Sequence, residues 1–210
     1  MRALQYLAFL LIATFSMTSQ ASVAHHRGTL EAAAERVDVD VVTLMTVAHI
    51  ESRGNAKARN KYSTAGGLMG FTDPTWRAYI KKYGKRYGFT YRTSKYNPRA
   101  NALMAAHLMK DNEVFLRKLL KRPPTQGDIY IAFLLGEPKA KKLFKAGLDR
   151  RAAHVLPRAA AGNKKFFYTD KGKPRTVRQF RDYMNWRFTS IGEQYAKQFN
   201  LGEDTMFVKL

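Results

Sequence analysis

From residue 28 onward the apolar residues recur at three- and four-residue steps, with almost no sustained period-two alternation, and that pattern confines the chain to a mostly α fold. It predicts helices over 28–36, 39–53, 74–83, 98–121, 126–135, 138–146 and 177–198, the last broken near Gly192. Several starts have a local cause. Asp73-Pro74 and Asn97-Pro98 each put a capping residue before a proline at the first helical position, and Thr125 to Asp128 reads as a capping box. Stops fall at Gly54, Pro123-Pro124 and Gly136. The segment 157–176, rich in lysine, arginine, glycine and proline, reads as a basic loop region with one short helix, too short to divide two domains. The 210 residues therefore suit one good core, assigned to 28–210, and with no cysteine in the chain that core holds without disulfides.

Ahead of that core, Arg2 precedes the apolar run 3–15, and Ser19-Gln20-Ala21 places small residues at cleavage-site spacing. Residues 1–21 thus read as a secretory signal, or as a membrane anchor if left uncleaved, with 22–27 a short linker. The expected location is the periplasm or the exterior. Thirty-seven Lys and Arg against sixteen Asp and Glu, a formal +21, call for an anionic partner such as nucleic acid, lipid headgroups or a cell-wall polymer. Export ranks a specific nucleic-acid role last, and a monomer is expected.

One carboxylate stands out. Val37, Val41, Leu44, Ala48 and Glu51 are spaced 4, 3, 4 and 3, so Glu51 continues an apolar helical stripe that Gly54 ends. At a helix C-terminus, partial burial and the negative end of the helix dipole both oppose ionisation, which suits a general acid. A solvated Glu on the last turn, paired with Arg53, fits the spacing equally well. Downstream, Ser63 to Phe71 gathers Gly66, Gly67 and Gly70 around Leu68 and Met69, a composition suited to backbone passing close to a ligand. It lacks the spacing of a phosphate-binding loop.

Glu51-Ser52 at a helix end, then Ser63-x-Ala65-x-Gly67-Leu68-Met69 and Phe71-x-x-x-Thr75-Trp76, resembles the soluble lytic transglycosylase (SLT) family of the lysozyme superfamily, closest to the domains of phage endolysins and virion-associated lysins. The run Tyr130-Ile131-Ala132-Phe133-Leu134-Leu135-Gly136 is similar to a later segment of those enzymes. The resemblance implies a single lysozyme-like domain that cuts peptidoglycan glycan strands. It also implies Glu51 as catalytic acid and then base, 1,6-anhydro-muramic products, and glycan contacts from Ser52, Ser63, Gly67, Met69 and Tyr130. Apart from the resemblance, Met69 reads equally well as core and Tyr130 as a helix-face contact. Two departures stand out: Gly70 replaces the family's usual glutamine, and Phe133 replaces a frequent histidine, so weak or specialised activity is an expectation.

Competing readings are a goose-type muramidase, which cuts the same bond with water, and a catalytically weak cationic wall-binding protein. The stretch 76–96 interleaves seven cations with tyrosine and phenylalanine, and no acid occurs from Pro74 to Lys110. Residues 77–95 are thus the expected contact with an anionic wall or membrane surface, although a solvated basic face with tyrosines on the core is the blander account. The five histidines are scattered and no H-E-x-x-H occurs, so neither a metal nor another cofactor is expected.

Overall fold

The computed structural model describes residues 22–201, so the expected signal at 1–21 lies outside the described residues. The fold is mostly α, as the periodicity predicts. Extended pairing among the described residues is limited to isolated bridges such as Arg59 with Gly66 and Gly66 with Phe71. The chain divides into two compact units, one through His107 and one from Leu108.

In the first unit, α1 (Arg27–Val37) is followed by α2 (Val41–Ser52), on which it packs. Asp40 separates them as the N-cap of α2, its carboxylate accepting from the Val42 and Thr43 amides at 3.2 and 2.7 Å. The single stripe expected from Val37 to Glu51 is therefore not what forms. Val37 belongs to the preceding helix, and α2 is buried on every side from Val42 to Ala48, as befits a helix apolar all round. After a long loop come α3 (Asp73–Tyr83) and a 3-10 turn at Gly84–Tyr87. Next begins α4 (Pro98–Leu120), within which the boundary between the units falls. Asn97 caps α4 as expected, its side chain accepting from the Ala100 amide at 3.0 Å. Asp73 does not cap α3; Thr72 takes that place, and Asp73 forms the first turn.

The second unit is organised by α5 (Gln126–Leu135) packed on α10 (Val177–Phe199). Both begin with capping boxes, Thr125 with Asp128 and Thr176 with Gln179. The two helices approach so closely that a Cβ on Gly127 would lie 2.7 Å from the Asn185 Cα. Asp128 is fully buried and paired with Arg122 at 2.8 Å. Between α5 and α10 lie α6 (Glu137–Phe144), α7 (Ala152–Val155), α8 (Pro157–Gly162) and α9 (Lys164–Phe167), the last two within 157–176, where one short helix had been expected. Nor does α10 break at Gly192, which is buried on its packed face.

Candidate active site

Helix α2 ends because Arg53 and Gly54 both turn left-handed, with φ of 54° and 80°. Their amides close back onto the His49 and Ala48 carbonyls at 3.1 and 3.2 Å. Gly54 is required there: a Cβ would lie 2.5 Å from the backbone of Ser22 and Val23. Glu51 consequently sits in the last turn, half-buried.

The loop that follows brings its backbone up to this carboxyl. Gly67 and Gly70 have φ of 80° and 66°, and the Gly70 amide donates to the Gly67 carbonyl at 3.3 Å, closing a tight turn around Leu68 and Met69. At Gly70 the approach is closest. A Cβ there would stand 2.7 Å from Glu51 Oε2 and 3.3 Å from its Cβ and Cδ. The residue that sequence comparison marks only as a departure is thus the one whose missing side chain makes room for the carboxyl.

Three side chains hold the turn in place. The Ser52 hydroxyl lies 2.7 Å from the Leu68 carbonyl and 3.0 Å from that of Ala48, while accepting from the Gly54 amide at 3.1 Å, so it ties the end of α2 to the loop. Asn101, fully buried on α4, accepts the Met69 amide at 2.8 Å and donates to the Lys95 carbonyl at 2.6 Å. Lys95 bonds the Thr64 carbonyl and pairs with Asp73 at 2.5 Å, pinning both ends of the segment. The hydrogen bond from Lys95, with the charges of Lys95 and Arg77 behind it, holds the Asp73 carboxyl below the usual carboxylate range. Neither Asn101 nor Lys95 was singled out by spacing. The available signal was a lone asparagine inside the apolar run Ala100–Ala106.

The expected glycan contacts fare unevenly. Ser63 is exposed, its hydroxyl accepting from the Ala65 amide at 3.3 Å. Met69 is completely buried, so its side chain packs the core rather than reaching a ligand. Gly67 is buried too; a Cβ there would meet the Asn101 amide nitrogen at 2.6 Å, which makes it a point of close packing. Tyr130 belongs to the second unit and is 1% exposed. Its ring packs against Phe133, Phe166 and Phe188, with centroids 6.2, 6.5 and 5.4 Å away, so it too is a core residue. Among the described residues no three histidine, aspartate or glutamate side chains gather in a way that would hold a metal.

Residues 28–123 match the family model of the transglycosylase SLT domain. The match takes in Glu51, the glycine turn, Lys95 and Asn101, and it stops short of Tyr130. Over that stretch the chain is similar to the SLT domain, a finding consistent with the SLT family of the lysozyme-like superfamily.

Proposed function

We propose that the protein cleaves the bond from N-acetylmuramic acid to N-acetylglucosamine in peptidoglycan, with Glu51 as the only catalytic carboxylate. An SLT domain carries peptidoglycan lytic transglycosylase activity in general, and peptidoglycan is the substrate it implies. In the first step the Glu51 carboxylic acid gives its proton to the glycosidic oxygen as the bond from that oxygen to the muramic C1 breaks. The resulting carboxylate then takes the proton of the muramic C6 hydroxyl as O6 bonds to C1. Atoms and charge balance with no water consumed, and the product ends in a 1,6-anhydro ring.

The observation that carries this reading is the approach of Gly70 to Glu51, a positive-φ glycine whose absent side chain leaves the carboxyl its space. A second catalytic acid is not needed for an internal nucleophile, because O6 already belongs to the reacting sugar. The next acid along the chain, Asp73, is engaged by Lys95. Ser63 is the exposed residue of the expected set and is the proposed glycan contact. Ser52, Gly67 and Met69 shape the turn instead. The reaction would take place outside the cytoplasm, in the periplasm or beyond the cell.

Digestion of purified sacculi followed by mass spectrometry of the soluble muropeptides tests the reaction. Anhydro ends, lighter by one water than reducing ends, are the expected products from the earliest time point. Reducing ends from the start would assign the goose-type hydrolysis instead, and intact sacculi with bound protein would assign a wall-binding role.

A further inference from the structure

Within the first unit, α3 and residues 84–91 line a half-open cavity of about 450 Å³, a volume in the range that takes small ligands. Its floor is Trp76, Ile80 and Phe89; Arg77, Lys81 and Lys85 stand around it with Thr90 and Tyr91. The three cations are exposed and make no ion pair among the described residues, and no acid occurs in the sequence from Pro74 to Lys110. Tyr91 is 82% exposed, with the Arg92 guanidinium 5.5 Å from its ring centroid.

The neutral polar groups at the cavity are partly engaged: the Trp76 indole N–H donates to the Thr93 carbonyl at 3.1 Å. The Thr90 amide donates to the Thr93 hydroxyl at 3.0 Å, and the Thr90 hydroxyl accepts from the Arg92 amide at 3.3 Å. What remains is an apolar floor under a cluster of cations, with an amphipathic ring at the edge. That combination suits an anion joined to a hydrocarbon, and basic residues flanked by interfacial tyrosine and tryptophan are the usual means of meeting an anionic leaflet.

We propose that this cavity is a docking site for an anionic membrane phospholipid, with its phosphate between Arg77, Lys81 and Lys85 and the adjoining acyl chain against Trp76, Ile80 and Phe89. The site is independent of the reaction assigned to Glu51. It would hold the protein at a phosphate-bearing membrane surface while the catalytic turn works on the wall.

Vesicle co-sedimentation tests this, with phosphatidylglycerol and phosphatidylcholine mixed, and with phosphatidylcholine alone. Both the full chain and a chain starting at Ser22 are used, so that the apolar run 3–15 cannot account for the result. Changing Arg77, Lys81 and Lys85 together to Gln should weaken binding to the anionic vesicles by about a hundredfold, from roughly fivefold for each cation at a charged surface. Changing Lys139, Lys141 and Lys142 together to Gln removes the same charge from exposed positions on α6 and should cost less than about fivefold in total, the effect of a single contacting cation. Trp76 gives a second readout, because the chain has only two tryptophans and Trp186 is 62% exposed. In a Trp186→Phe background, phosphatidylglycerol with brominated acyl chains should quench Trp76 fluorescence. Equal losses in the two triple variants, or Trp76 unquenched by bound brominated lipid, would overturn the site. So would full binding to sacculi with none to anionic vesicles.

Discussion

Gly70 and Glu51 occupy complementary space: a Cβ on residue 70 would intrude to 2.7 Å from Oε2. The backbone there, at φ 66°, is one that side-chain-bearing residues rarely adopt. Gly70→Ala should therefore push the carboxyl off its position. A displacement near 1 Å costs on the order of a hundredfold in turnover, so that is the expected fall in sacculus digestion, with wall binding retained. Gly88→Ala is the matched control, since Gly88 has φ 74° and nothing near its would-be Cβ; it pays the backbone strain alone and should keep activity. Gly70→Gln, which restores the residue usual in the family, should lower activity as well. Full activity in Gly70→Ala would show that the turn does not set the carboxyl's position.

Asn101 should matter to stability far more than its size suggests. Asn101→Ala strips a partner from the buried Met69 amide and from the Lys95 carbonyl. Leaving buried groups unsatisfied costs roughly 1–3 kcal/mol each, so a loss of about 3 kcal/mol is expected in urea unfolding. Asn112 on the same helix provides the contrast. It is 1% exposed, and neither polar atom of its amide has a partner. Replacing it with Leu, of similar shape, should raise stability by about 1 kcal/mol, since the unpaired amide is removed with its desolvation cost. Equal losses in the two variants would contradict the hydrogen-bond assignment of Asn101.

The acid limb of stability should carry two contributions of opposite sign. Asp73 titrates below its ordinary 3.8 because of the hydrogen bond from Lys95, helped by the charges of Lys95 and Arg77. Its contribution is fully present above that ordinary value and is lost as pH falls through the lowered one. Burial pushes Asp40 above 3.8, against the hydrogen bonds from Thr43 and Val42. The native state then binds the proton more tightly than the unfolded chain, so this contribution is present in acid and lost as pH rises through the raised value. Lys95→Met should flatten the loss on acidification, whereas Asp40→Asn, which keeps the cap, should remove the decline on the rising side. Urea unfolding across the acid range reads both. Unchanged pH profiles in the variants would contradict the two assignments.

Much of this architecture was legible because its causes are local. The capping pair at Thr125, the prolines that open α3 and α4, and the Gly54 stop that leaves Glu51 in a last helical turn act within a few residues of themselves. What could not be read depends on contacts distant in sequence. Nothing near Gly70 announces that it faces Glu51, and Asn101 finds Met69 across 32 residues. Spacing also placed Val37 and Glu51 on one face, whereas Asp40 caps α2 between them. The glycines and prolines of 157–176 suggested a loop with one short helix, yet two brief helices form, on either side of Asn163. Met69 and Tyr130, glycan contacts by resemblance, are buried, which agrees with the packing that their positions allowed equally well.

The most direct test of the central claim is Glu51→Gln, assayed by muropeptide release from purified sacculi alongside circular dichroism and sacculus binding. The amide keeps the size and shape of the side chain and removes the proton that the mechanism transfers. Release of 1,6-anhydro muropeptides should fall to background while folding and binding are retained. Release at the wild-type rate from the folded variant would contradict the account and move the catalytic assignment away from Glu51.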